Sequence, residues 1–188
     1  ARLREYCTQR GGCKFICCLN DSGKYPCQPM ATLKRSDISE LDMLVCAADF
    51  AEEVKAAGIP VIRVKVEELV PRKLSVEEQE EEPLSDPQYW ETHLKMSVQN
   101  VEQETLLREF KPDVALSHNL SKFPDPTRLP KEVLVTMRMR GVNKLDFLRT
   151  VDEMCRLLQA VELPAPVNVA RERVVFDNNV GLDAGWCE

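Results

Sequence analysis

The feature that most constrains this chain is a near-repetition of its own pattern 104 residues apart. Thr32-Leu-Lys34, Leu41-Asp-Met-Leu44, Ala56 and Ile59-Pro60 are answered by Thr136-Met-Arg138, Leu145-Asp-Phe-Leu148, Ala160 and Leu163-Pro164. Leu3-Arg-Glu-Tyr6 is answered by Leu107-Arg-Glu-Phe110 at the same spacing, and Lys24-Tyr-Pro26 by Lys122-Phe-Pro124 at an offset of 98. Agreement in order and residue type over about 60 residues marks a tandem duplication. Each half must then solve the same burial problem, and the pattern of one predicts the other.

In the second copy Tyr89–Val98 alternates, with Leu94, Met96 and Val98 on one side and Glu91, His93, Lys95 and Ser97 on the other. That is a half-buried strand. A helix is expected around Val101–Phe110, strands at Val114–Asn119 and Glu132–Arg140, a long helix over Lys144–Val161, and a strand over Pro166–Phe176. The order strand, helix, strand, strand, helix, strand is the split βαβ plan. The first copy offers a helix (Arg2–Thr8), strands (Lys14–Leu19, Met30–Arg35), a long helix (Glu40–Ala57) and a strand (Pro60–Glu68). It has no opening strand, which suggests that the 188 residues begin partway into a longer chain, or that another segment such as the tail fills the place.

The expected fold class is therefore α/β (α+β): duplicated ferredoxin-like βαββαβ repeats, antiparallel sheets with helices on one face, the first repeat lacking its opening strand. The organisation is 1–70 for the incomplete repeat, 71–87 for an acidic linker between prolines, 88–177 for the second repeat and 178–188 for a turn-rich tail. The run Glu77-Glu-Gln-Glu-Glu-Glu82 within the linker has no apolar period and reads as solvated chain.

Composition narrows the functional classes. With 44% hydrophobic and 30% charged residues the chain is globular, and its formal charge of −6 offers no field for nucleic acid or anionic membrane. No apolar stretch reaches the roughly 18–20 residues of a membrane span, and the first residues hold no secretory core. A cytoplasmic protein is expected. The seven glycines form no Gly-x-Gly-x-x-Gly, P-loop or Gly-x-Ser-x-Gly, so no cofactor is assigned.

Eight cysteines include five in the first 27 residues. Cys13-x3-Cys17 lies on an extended run and lacks a second pair, so reduced and mostly buried thiols are expected rather than zinc. Asp42 and Asp146 resemble paired catalytic carboxylates. However, Ser39 and Asn143 stand three residues ahead of each, which is the spacing of helix N-caps. His93 lies on the polar strand face, whereas Val114 and Leu116 put His118 on the helix side. The two are expected to act separately. In the tail, Asp177 and Asp183 read as turn caps and Trp186 as an anchor against a sheet.

The polar strand faces carry the best candidate site. Lys95, Arg138, Arg140, Arg63 and Lys65 are the expected ligand-binding residues, with Glu91 and His93 as acid or base; Glu67, Thr32, Lys34 and Thr136 share these faces. Guanidinium groups suit phosphate or carboxylate, especially where paired sheets remove them from bulk water. The rival reading is a solvated face laced with ion pairs worth roughly 0–1 kcal/mol each.

Two-histidine phosphoesterases need two His-x-Thr/Ser motifs, which His93-Leu-Lys95 and His118-Asn-Leu120 do not supply. Glu91-Thr-His-Leu-Lys95 resembles the Glu-x-Glu-x-Lys of triphosphate-tunnel enzymes, with histidine at the second acid. Thr136-Met-Arg-Met-Arg140 resembles one of their basic strands. That resemblance covers two strands; it implies a phosphate-rich ligand, while the missing glutamate leaves that family's metal set incomplete, and no metal is expected. The strand Tyr-Trp-Glu-Thr-His-Leu-Lys and the tail from Val175 to Trp186 also resemble an uncharacterised conserved family with tandem ferredoxin-like repeats, which implies no activity. The expected function is binding, with possible hydrolysis, of an anionic small molecule. The alternative is an oligomerisation or protein-interaction module without catalysis, with a homo-oligomer as the expected partner.

Overall fold

The computed structural model describes residues 2–71, 82–84, 86–109, 114–122, 125, 127–129, 131–161 and 163–187. Most of the acidic linker, together with Phe110, Phe123 and Pro124, lies outside them. The elements run α1 (Arg2–Arg10), β1 (Cys13–Asn20), β2 (Cys27–Leu33), α2 (Glu40–Ala56), β3 (Lys65–Leu69), β4 (Tyr89–Val98), α3 (Val101–Glu109), β5 (Ala115–Asn119), β6 (Lys131–Met139), α4 (Lys144–Ala160) and β7 (Asn168–Asp177). A 3-10 turn, Val180–Asp183, follows.

The two long helices start by the same device, 104 residues apart. The Ser39 hydroxyl accepts from the Asp42 amide at 3.1 Å, and the Asn143 side-chain oxygen accepts from the Asp146 amide at 2.8 Å. Each cap satisfies one of the amides that a helix start leaves unpaired, and the aspartate favours the positive end of the helix dipole. Asp42 and Asp146 stand in the first turns of the helices that Ser39 and Asn143 cap, as their spacing predicts.

All the described strands join one curled antiparallel sheet of seven, in the order β2-β1-β5-β6-β4-β7-β3. The strands of the two halves meet edge to edge, through β1–β5 and β3–β7, so the expected pair of facing sheets is instead one continuous sheet. Within the second half the spatial order is β5-β6-β4-β7 with every neighbour antiparallel. The third strand of the first half starts at Lys65 rather than Pro60, leaving Arg63 in the approach to the strand.

Alternation sorts the residues of the central strands between the two faces. Trp90, Leu94, Met96 and Val98 of β4 and Val133, Val135 and Met137 of β6 face the helices, where Phe147, Leu148, Val151, Met154 and Leu158 of α4 complete the core. Trp90 stacks on Phe147 with ring centroids 5.3 Å apart, and its indole N–H donates to the Val142 carbonyl. The other face of the same strands, carrying Glu91, His93, Thr136 and Arg138, lines the inside of the curl. No described helix is long and apolar enough to cross a membrane.

The thiols are less buried than expected: Cys7 and Cys187 are buried, Cys27 is exposed, and the other five are intermediate. Cys13 and Cys17 turn to different neighbours, the Cys7 carbonyl and the Cys27 thiol, and do not converge on a metal.

Candidate functional site

The β4–β6 register puts Glu91 opposite Arg138 and His93 opposite Thr136, while the β4–β7 register puts Glu91 beside Glu172. Since partners across antiparallel strands share a face, Glu172 points into the curl and Arg171 and Arg173 point to the helices. The latter two pair there with Asp152, and with Glu40 and Glu68.

Glu91 is the hub. It is 2% exposed and takes Lys65 at 2.5 Å, Arg138 Nη2 at 2.7 Å and His93 Nε2 at 3.0 Å. Burial alone would raise its carboxyl, but Lys65, His93 and Arg138 outweigh burial and hold it well below the ordinary carboxylate range. Burial likewise disfavours the charge on His93, yet Glu172 and Glu91 push its value up to about 10. His93 is therefore an imidazolium at neutral pH. It donates from Nε2 to Glu91 and from Nδ1 to the Thr136 hydroxyl, 2.9 Å away.

The C-terminal turn brings two more carboxylates to the same face. Asp183 accepts from Arg138 Nη2 at 2.9 Å, Arg63 Nη1 at 2.8 Å and Gln28 Nε2 at 3.1 Å. Asp177 takes a bidentate contact from Arg63 (3.0 and 2.5 Å) and the Tyr89 hydroxyl at 2.7 Å. Asp177 also caps the Asn179 amide, as expected of a turn residue, but for both aspartates the ion pairs are the larger part of the role. The ring of Tyr89 lies under Lys65, Arg138 and Arg140, at 5.8, 4.6 and 4.5 Å to its centroid. Three cations thus stand against one aromatic ring.

The structure brings together Glu91, His93, Arg63, Lys65, Arg138 and Arg140 of the expected site. Lys95 is separate: it lies further along β4 and pairs with Glu132, which Lys122 also contacts. His118 sits on the opposite face, 6% exposed, where burial and nearby Lys131 lower its affinity for a proton. Sequence reasoning missed Tyr89 and Gln28, and it places Glu172 on the last strand without fixing which face it takes. Tyr89 was legible, standing two residues before Glu91 on the same alternating face. Glu172 and Gln28 depend on a register that no local pattern supplies.

Charge within the curl is balanced. Arg63, Lys65, His93, Arg138 and Arg140 face Glu67, Glu91, Glu172, Asp177 and Asp183, five of each sign. Donor atoms of Glu67, Glu91, His93 and Glu172 lie within 4.8 Å of one another, a grouping compact enough for a metal ion. Yet the Lys65 ammonium already stands 2.5 Å from both Glu67 and Glu91, and a protonated imidazole has no lone pair to give. The residues hold a cation of their own in that place, and they do not fit a metal without losing it.

A pocket of about 290 Å³ opens beside this network, between Arg138 and Arg140 of the β6 end and Val180, Gly181, Ala184 and Cys187 of the tail. Glu91 and His93 do not line it. Arg138 is spent on Glu91, Asp183 and the Cys187 carbonyl, whereas the ion pair of Arg140 is a long 3.7 Å contact with Asp86, itself 89% exposed. Comparisons of the chain with protein-family models, with curated proteins and with solved structures give no match in any of the three.

Proposed function

We propose that the protein binds an anionic small molecule, bearing phosphate or carboxylate, in the pocket between the β6 end and the C-terminal turn, with Arg140 as its anchor. The observation that carries this reading is the placing of Arg140. Arg140 lines a pocket near the small end of the ligand-binding range, its guanidinium carbon stands 4.5 Å from the Tyr89 ring centroid, and among the described residues its carboxylate partner is Asp86 at long range. A guanidinium presented in this way offers its donor fork to an incoming oxyanion. Because the other four cations of the curl are already paired with its carboxylates, attraction is local to this arginine. Binding, rather than hydrolysis, is the reading favoured: Glu91 and His93 are locked in ion pairs away from the pocket.

We also infer that the single sheet derives from two ferredoxin-like units, the first without its opening strand. The shared cap chemistry at Ser39 and Asn143, helix starts at Glu40 and Lys144, and the β5-β6-β4-β7 order of the second half support this.

Thermal unfolding against phosphate, pyrophosphate, tripolyphosphate, nucleotides and dicarboxylates, at matched chloride, tests the binding reading. A ligand at about 100 times its dissociation constant stabilises by about 2.7 kcal/mol. The expected result is a shift that Arg140→Gln abolishes while its own unfolding stays cooperative. No shift with any of these, or a shift that survives in Arg140→Gln, overturns it.

A further inference from the structure

We propose that the two open edges of the sheet, β2 and β3, form a slot for one extended peptide strand supplied by a separate polypeptide segment, patterned like β4 and pairing antiparallel with both. This rests on the two-unit reading above. At the 104-residue offset, β2 corresponds to β6 and β3 to β7. In the second half those two strands are separated by a single strand, β4, which pairs antiparallel with each. In the first half their counterparts are the two ends of the sheet, and among the described residues no strand lies beyond either.

The edges are close. Gln28 of β2 and Arg63, two residues before β3, hydrogen-bond and ion-pair with the same carboxylate, Asp183. Two side chains meeting on one carboxylate put the starts of the two edges within side-chain reach of each other across Asp183, where the second half places β4 between β6 and β7.

The helix above supplies an independent observation. In α4 the residues Phe147, Leu148, Val151, Met154 and Leu158 are all buried over β4. Their counterparts in α2 are Met43, Leu44, Ala47, Phe50 and Val54, equally apolar, but of these Val54 alone is buried. Leu41 of the same helix is 70% exposed, where its counterpart Leu145 is half-buried. An apolar helix face left half-open, over the place where its twin covers a strand, is what an unfilled slot produces. The occupant follows from the two walls. Residues alternating toward α2 must be apolar, and those facing Gln28, Thr32, Lys65 and Glu67, a wall interrupted by Met30 and Leu69, must be mostly polar, giving the alternation of β4 over about ten residues.

The test uses the whole chain and a synthetic peptide with the sequence of β4, Tyr-Trp-Glu-Thr-His-Leu-Lys-Met-Ser-Val, beside a peptide of the same composition with the alternation broken. Hydrogen exchange is read at single amides. With the patterned peptide at about ten times its dissociation constant, the outward amides of both β2 and β3 exchange about tenfold more slowly, and the broken pattern has no effect. Protection of neither edge, protection of one edge only, or equal protection by both peptides overturns the proposal. So does protection that rises with protein concentration in the absence of peptide, which would assign the edges to a second copy. None of these readings depends on Arg140, so a failed anion screen and a failed strand test are distinguishable. Failure here also leaves the paired helix caps intact as the mark of duplication.

Discussion

Arg138 clasps a single oxygen of Glu91 with two donors, Nε at 2.9 Å and Nη2 at 2.7 Å, across one register step of β4 and β6. Both side chains are all but removed from solvent, at 2% and 3% exposure. Breaking such a pair strands a buried charge, which costs about 3–5 kcal/mol. Arg138→Met should therefore destabilise by that amount. In a double-mutant cycle with Glu91→Gln, urea unfolding should show a coupling of about 1–3 kcal/mol. Additive effects would mean that Lys65 and Asp183, not the pair, carry the network. The same burial makes Arg138 a poor probe of ligand binding, whereas the exposed Arg140 serves.

Stability should depend on pH through His93. Its value is about 10 in the folded protein, above the roughly 6.5 of an unfolded chain, so the folded state holds the proton more tightly. Stabilisation from this group is complete below about pH 6.5 and is lost as pH rises toward 10. Glu91 is shifted the other way, and its contribution, present above the ordinary carboxylate range, is lost as pH falls through its depressed value. Melting temperature should decline from pH 6.5 to 10, and His93→Gln should flatten that limb. An unchanged slope in the variant would remove the imidazolium from the network.

How much of this was legible follows from what kind of information each feature needs. Strand β4 alternates so regularly that its ends, Tyr89 and Val98, and its polar face are readable from sequence, and the caps at Ser39 and Asn143 are local chemistry. The single sheet is not, because β1–β5 and β3–β7 join residues about 100 positions apart with no local signal. The balance of charge was hidden for the same reason. Arg63 and Arg138 looked like basic residues awaiting a ligand because Asp183, their common partner, sits in a turn whose docking only tertiary structure shows.

The paired caps should behave as independent equals. Ser39→Ala and Asn143→Ala each remove the acceptor for one helix-start amide, at about 1 kcal/mol apiece. The helices belong to different halves and the caps share no partner, so the double variant should lose about 2 kcal/mol in chemical unfolding. A marked excess over the sum would mean that the two helices unfold through one shared contact.

Gly23 should be the most sensitive small residue, because it holds the tail in place. Its φ is +95°, a conformation that L side chains rarely adopt, and an added Cβ would come within 2.8 Å of the Trp186 Cβ. Trp186 is the anchor expected from the sequence: its indole N–H donates to the Leu116 carbonyl on β5 at 3.0 Å. Gly23→Ala costs about 1–2 kcal/mol from the backbone alone and also pushes this anchor off the sheet. Asp183, three residues earlier, is then drawn away from Arg138 and Arg63. The expected readout is a red shift in tryptophan emission well below the melting transition. It would come from Trp186, because Trp90 is 2% exposed in the helix-covered core and reports only on global unfolding. Loss of stability without an early emission shift would show that the tail stays seated and that the strain is confined to the turn.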